Sequence, residues 1–229
     1  MEITSSNYNI AQKKHIAFFD LDRTILNTNS GNMIIQRAYK HRLLGLQDIL
    51  KGLYYAGLYR LHLRDTQSII DSLAAWIKGV SEKDFIRLTN EVFNEYLAHS
   101  IHKEVPAELE YHRSMGGKIV LLSSAVFPLA SLFTEYLKMD DILCSRLECL
   151  DGIYTGRPEG KLCFREEKLN QLLAYCEKNQ VNPLDSWYYA DSIADLPALN
   201  AVGFPICINP DKKLRKIAKV KHWKILKWT

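Results

Sequence analysis

Asp20, Leu21, Asp22, Arg23 and Thr24 follow directly on the hydrophobic run His15-Ile16-Ala17-Phe18-Phe19. Two carboxylates two residues apart at the end of an extended segment point to the same side and can address one ligand. Strand ends are where α/β proteins place their sites. One such carboxylate can attack an electrophile such as phosphorus, while its neighbour protonates the leaving oxygen and later takes a proton from water. Both also suit a hard, oxygen-loving cation such as Mg²⁺. An acidic turn after a buried strand is the plainer reading of this pair alone.

A second acidic pair strengthens the chemical reading. Ser186-Trp187-Tyr188-Tyr189-Ala190 reads as another buried strand and leads into Asp191-Ser192-Ile193-Ala194-Asp195, with Pro197 suited to the first turn of a helix. If the two strands are parallel neighbours, four carboxylates converge at one sheet edge, where a bound cation best relieves their repulsion. A third strand, Gly117-Lys118-Ile119-Val120-Leu121-Leu122, ends at Ser123 and Ser124, whose hydroxyls and backbone N–H groups can hold phosphate oxygens. Lys168 in Arg165-Glu166-Glu167-Lys168-Leu169 opens a helix with apolar spacing at Leu169, Leu172, Leu173 and Cys176. Its ammonium would offset charge at a phosphoryl group. Lys161, seven positions earlier and after a glycine, is the competing lysine; helix context favours Lys168.

Through FFDLDRT, LLSS, the lysine of REEKLNQL and YADSIADLPAL, nearly the whole chain resembles the haloacid dehalogenase superfamily, in particular its phosphoserine-phosphatase-like branch (subfamily IB). The resemblance implies Asp20 as nucleophile forming an aspartyl-phosphate, Asp22 as general acid and base, Ser123 as phosphate ligand and Lys168 as charge stabiliser. It implies Mg²⁺ held by Asp20, the main-chain carbonyl of Asp22 and Asp191, with Asp195 supporting its hydration and the lysine. Asp22 separates the chain from the dehalogenases and P-type pumps, which lack a carboxylate there. Phosphoserine phosphatases carry a glutamate beyond the nucleophile motif for the substrate's amino group, and Asn29 stands at the matching place; Arg23 stands where a small residue is usual and could meet phosphate. Ser124, Arg23 and Asn29 therefore join Ser123 as candidate substrate contacts. Branch members acting on histidinol phosphate or phosphatidylglycerol phosphate keep those substrates open beside phosphoserine.

These groups need elements to position them. Alternating strands and helices after Ser123 predict an α/β fold: a three-layer, Rossmann-like parallel sheet covered on both faces. They include a helix through Leu129, Leu132, Phe133, Tyr136 and Leu137, a strand near 142–145, a hairpin around Asp151-Gly152 and a strand from Phe204 to Asn209. About ninety residues separate the first strand from the Ser123 strand, too long for one crossover and helical in pattern. Apolar faces run through Leu46, Ile49, Leu50, Leu53 and Tyr54, then Ile69, Ile70, Leu73, Trp76 and Ile77, then Phe85, Leu88, Val92, Tyr96 and Leu97 after a Ser81-x-x-Asp84 cap. We expect residues 32–104 to be an inserted all-helical cap domain and residues 1–31 and 105–229 the catalytic core. Such an insertion is placed to close over the site and select the substrate.

With 229 residues, 47% hydrophobic and 24% charged, the chain can bury a substantial core plus an accessory domain. The N-terminal stretch lacks the apolar core of a signal peptide, and no run reaches the roughly 18 apolar residues of a membrane span, so a cytoplasmic protein is expected. Five scattered cysteines fit reduced thiols, without paired zinc spacing. The histidines form no ligand pattern, and His99 and His102 are expected on an exposed helix face. The net charge of +4 is a tail property: residues 211–229 carry eight Lys or Arg against Asp211 alone. Lys221-His222-Trp223-Lys224-Ile225-Leu226-Lys227-Trp228 reads first as an amphipathic end packed on the core with its lysines in water. Peripheral contact with anionic lipid is the second reading. The tyrosine-rich run 53–61 and this tail lean toward a phospholipid-like substrate, and nothing resembles a nucleic-acid motif. The leading expectation is a Mg²⁺-dependent phosphomonoester phosphatase acting on a small phosphorylated substrate, with a phosphotransferase or a non-catalytic phosphate-binding protein as rivals.

Overall fold

A computed structural model describes residues 14–45 and 75–229. Its centre is a six-stranded, all-parallel sheet: β1 (Ile16–Phe19), β2 (Lys118–Val126), β3 (Asp141–Ser145), β6 (Trp187–Ala190), β7 (Phe204–Ile208) and β8 (Lys224–Leu226), in the order β3-β2-β1-β6-β7-β8. A two-stranded antiparallel hairpin, β4 (Leu147–Leu150) and β5 (Ile153–Pro158), turns at Asp151-Gly152, both at positive φ. The doubly covered α/β class expected from the sequence is the one observed.

Both sheet faces are buried because each strand spends its alternate residues on opposite cores. Ala17 and Phe19 face one core, built with Ile34 and Ala38 of α1 (Ser30–Lys40), Phe85, Leu88 and Val92 of α2 (Glu82–Val92), Val105 and Leu109 of α3 (Val105–Ser114), and Leu129, Ala130 and Phe133 of α4 (Phe127–Tyr136). Ile16 and Phe18 face the other, with Leu172, Tyr175 and Cys176 of α5 (Glu166–Asn179), Ala198 and Leu199 of α6 (Leu196–Ala201), and Leu214 and Ala218 of α7 (Lys212–Val220). Each fully buried aromatic or aliphatic side chain contributes about 1.5–3 kcal/mol, so the β1 run is bound from both sides.

Between β1 and β2 the described residues are mostly helical. Asn29 caps α1, its side-chain oxygen accepting the Asn32 N–H at 3.0 Å. Ser81 caps α2 as its motif predicts: its hydroxyl accepts the Asp84 N–H at 3.0 Å and donates to the Asp84 carboxylate at 2.7 Å. Helical turns continue from α2 through Ser100, and an antiparallel bridge between Leu26 and Ile101 brings the two ends of the segment together. The apolar faces predicted at 46–54 and 69–73, and the tyrosine-rich run 53–61, lie outside the described residues; Ile77 is buried and Trp76 packs on the core.

Two expectations change. His102 is buried, 4% exposed, because the bridge at Ile101 turns it inward against Trp228, with ring centroids 6.1 Å apart; His99 is exposed as expected. The tail does pack on the core, but as strand β8 on the sheet edge rather than by an amphipathic face alone. Trp228 is buried, and Lys224 and Lys227 are exposed. Lysines on an edge strand also discourage further strand pairing. All five cysteines are free, and no helix among the described residues is long and apolar enough to cross a membrane.

Beneath the sheet's centre a buried polar chain is fixed by its neighbours. His15 Nε2 lies 3.1 Å from His112 Nδ1, His112 Nε2 lies 2.8 Å from the Tyr189 hydroxyl, and that hydroxyl donates to Glu108 at 2.5 Å. Burial and then His15 push His112 down to about 4. Gly117 is required beside it, since a Cβ there would fall 2.1 Å from His15 Nε2.

Candidate active site

Strand order places the carboxyl ends of β2, β1 and β6 side by side, so loops leaving three adjacent strands share one edge. The Asp20 N–H still donates to the Tyr189 carbonyl at 2.9 Å, anchoring the first carboxylate at the end of the β1–β6 ladder. The chain then turns through Arg23, in the left-handed region at φ 59°, and closes with the Leu26 N–H on the Leu21 carbonyl and the Arg23 N–H on the Thr28 carbonyl. Leu21, Thr24 and Ile25 are buried beneath the turn.

Lys168 lies in the first turn of α5, where a cation is opposed by the helix dipole, whereas the preceding Glu166 and Glu167 suit it. Its compensation is local: Nζ donates to Asp195 Oδ1 at 2.6 Å, to Asp20 Oδ1 at 2.7 Å and to the Tyr188 hydroxyl at 3.2 Å. Burial pulls this lysine down, but Asp195 and Asp20 outweigh it and hold it well above the ordinary value. Lys161 is exposed, so it is Lys168 that the fold brings to the carboxylates.

Asp20, Asp191 and Asp195 each offer a carboxylate oxygen within 4.8 Å of the others, and all three are buried. Burial first, then Asp195 against the opposing pull of Lys168, raises Asp20 to about 7. Burial, with Asp20 and Asp195 adding repulsion, raises Asp191 to about 8. Opposite ligands of an ion at about 2.1 Å stand about 4.2 Å apart, so this set of hard oxygen donors fits a small divalent cation. The Asp191 loop is held from below: the Asp211 N–H donates to the Asp191 carbonyl at 2.8 Å, and the Asp211 carboxylate accepts from Ile193 N at 2.7 Å while capping α7 through Lys213 N and Leu214 N, both at 2.8 Å.

Asp22 stands apart from that trio. Its carboxylate accepts the Ser30 N–H at 2.7 Å and an Asn29 side-chain N–H at 3.3 Å, at the start of α1. Burial raises its pKa, opposed by those Ser30 bonds and by Lys168 and Arg23. Of the four carboxylates expected at this edge, three offer oxygens within 4.8 Å of one another, while Asp22, near enough to repel Asp20 and to feel Lys168, directs its own to the α1 N-terminus. Ser123 is buried three residues before the end of β2, where the pairing with β3 begins to slip, with its hydroxyl accepting Ala125 N–H at 3.2 Å; Ser124 beside it is exposed. Arg23 is exposed. Asn29 is engaged as helix cap and Asp22 partner. Sequence reasoning missed Tyr188 and Asp211: the first reads as strand core, and the second as the acidic start of a basic tail.

The family described as haloacid dehalogenase-like hydrolase matches residues 17–200. The chain is 26% identical over 213 residues to the phosphoserine phosphatase SerB1 of Mycobacterium tuberculosis (strain H37Rv), covering 91% of this chain and 69% of that one. It is 28% identical over 222 residues to a histidinol-phosphatase of Neisseria meningitidis serogroup C, covering 93% and 98%. Among solved structures, a protein of unknown function from Bordetella pertussis Tohama I superposes with TM-score 0.85 at 22% identity, over 93% of this chain and 98% of that one. A phospho-aspartyl intermediate analogue of phosphoserine phosphatase superposes with TM-score 0.69 at 15% identity, over 93% and 100%; both share the fold. A family match across 17–200, on a parallel sheet whose central strands end in these aspartates, means that the chain belongs to the haloacid dehalogenase-like hydrolases.

Proposed function

We propose that this hydrolase is a Mg²⁺-dependent phosphomonoester phosphatase working through a phospho-Asp20 intermediate. The observation that carries the reading is the buried Lys168 ammonium bonded at once to Asp20 and Asp195, with Asp191 beside them. One cation among three buried acids leaves an anionic pocket that suits a metal and, through it, a phosphate.

Asp20 attacks phosphorus, forming a P–O bond to its carboxylate as the bond to the substrate's ester oxygen breaks. Asp22, whose pKa is raised by burial, gives its proton to the departing alkoxide. It then takes a proton from the water that attacks phospho-Asp20, releasing phosphate and restoring the Asp20 carboxylate and the protonated Asp22. Ser123, Ser124 and Arg23 hold the phosphoryl oxygens, and Lys168 offsets their charge. Mg²⁺ would be held by Asp20, Asp191 and the carbonyl of Asp22, backed by Asp195, and would supply neutralisation of the phosphoryl charge.

Residues 32–104 serve as a cap over the core formed by 1–31 and 105–229, and the cap chooses the substrate. Phosphoserine is the first substrate to try. Histidinol phosphate is the second reading, supported by the likeness to a histidinol-phosphatase; the Asn29 amide is spent on Asp22 and on capping α1, so for the amino group that both substrates carry no carboxylate stands at that place. The free thiols accord with work in the cytoplasm. The test is phosphate release from phosphoserine, histidinol phosphate, phosphatidylglycerol phosphate, sugar phosphates and an aryl phosphate, with Mg²⁺ and with EDTA. EDTA-sensitive release is expected; silence across the panel, the aryl phosphate included, overturns the reading.

A further inference from the structure

The lysine at the centre of the site has three ammonium protons, and three acceptors take them. Two are the carboxylates of Asp20 and Asp195; the third is the hydroxyl of Tyr188, at 3.2 Å. That hydroxyl has one proton of its own and donates it to Asp195 Oδ1 at 2.7 Å, the same oxygen that accepts from Lys168. Lys168, Tyr188 and Asp195 thus close a ring of three hydrogen bonds, and Lys168 reaches from it to a single oxygen of Asp20.

Strand alternation accounts for the placement. Tyr189 points to the opposite core, stacked on Phe19 with centroids 4.3 Å apart, while Tyr188 points to the face covered by α5 and reaches the Lys168 helix, three residues before Asp191. The residue is fully buried. A phenylalanine would fill the space, and a buried hydroxyl without partners would be costly. What the hydroxyl adds is a neutral group that accepts from an ammonium and donates to a carboxylate at once. A third carboxylate would add charge. Burial first, and then Asp195, keeps this phenol far above its ordinary pKa, so it stays a donor.

We propose that Tyr188 is a positioning residue for phosphoryl transfer: through its hydroxyl it fixes the Lys168 ammonium on one oxygen of Asp20, leaving the other to attack, and locks the rotamer of Asp195. The proposal rests on the phosphatase reading above. A four-carbon lysine stem has many rotamers, and anchoring its head at three points removes them before substrate arrives.

The test compares Tyr188→Phe with Tyr175→Phe, a control in the same core whose ring packs edge-on against Phe18 at 6.0 Å and whose hydroxyl faces Asp141 rather than the site. In protein labelled with ¹⁵N at lysine Nζ, without substrate, a slowly exchanging ammonium signal is expected and is assigned by its loss in Lys168→Arg. It should persist in Tyr175→Phe and broaden away in Tyr188→Phe. With the best substrate of the panel, Tyr188→Phe should lower kcat by about 10–100-fold, as loss of a hydrogen bond to charged groups does, with KM changed less than about threefold. A Tyr188→Phe protein that keeps both the sharp signal and wild-type kcat overturns the proposal, as does an equal loss in Tyr175→Phe or a wild type without a protected ammonium. If the signal behaves as expected but the wild type hydrolyses nothing, the positioning stands and the phosphatase reading falls.

Discussion

The sheet edge at β1 and β6 and the helices between β1 and β2 both carry ion pairs, and they use them differently. At the edge, Lys168, Asp20 and Asp195 are each no more than 7% exposed at the side chain, and the partners sit at 2.6–2.7 Å. On the helices, Arg37 of α1 reaches Glu91 at 3.0 Å and also pairs with Glu95, half-exposed, and Arg87 pairs with Asp84 with 76% of its side chain in water. An exposed pair such as Arg87 with Asp84 contributes about 0–1 kcal/mol, while Arg37, only 11% exposed at its side chain, lies between the two cases. Buried ones cost desolvation and are weak stabilisers, yet removing one partner strands the other. The difference is one of solvent: the edge holds its charge pattern out of water, whereas the helices hold pairs that water reaches.

The largest effect should come from the edge. Asp20→Asn is expected to lower phosphate release by about 10⁴-fold or more, as loss of a nucleophile does, with folding intact by circular dichroism. Lys168→Met in metal-free protein should cost about 3–5 kcal/mol in denaturant unfolding, because two buried carboxylates lose their cation. Asp191→Asn should raise the Mg²⁺ concentration for half-maximal rate steeply.

The pH dependence has a definite sign. Asp20 and Asp191 are raised to about 7 and about 8 from an unfolded value of 3.8. Their contribution to the stability of metal-free protein is therefore whole below about pH 4 and lost as pH rises through about 7–8. Added Mg²⁺ should raise Tm more near pH 8 than near pH 5. An equal shift at both would contradict the buried acidic trio. The smallest effect belongs to the helices: Arg87→Ala should change stability by ~0.5 kcal/mol or less and leave kcat untouched.

Much of this edge was legible because strand ends and acid spacing are local signals. FFDLD and YYADS each place a carboxylate after a hydrophobic run, and parallel pairing of β1 with β6 brings the two runs together. Helix periodicity after Arg165 likewise marked Lys168 over Lys161. What stayed hidden depends on tertiary direction. Tyr188 and Tyr189 are the same residue type in one strand, and only the faces of the sheet tell which meets Lys168. Asp22 keeps the spacing of a partner to Asp20, but the left-handed turn at Arg23 and the cap at Asn29 give it to α1. His102 looked like a surface histidine because the bridge that buries it joins residues 75 positions apart, Leu26 and Ile101. The tail's charges were plain, whereas its strand β8 needed a free sheet edge to pair with.

The central claim is that Asp20 carries the phosphoryl group. Protein mixed with a turned-over phosphomonoester and Mg²⁺, quenched in acid during the steady state and peptide-mapped by mass spectrometry, should show a phosphoryl adduct on Asp20 that is absent from Asp20→Asn. Full turnover without an adduct in the wild type, together with undiminished turnover in Asp20→Asn, would contradict it.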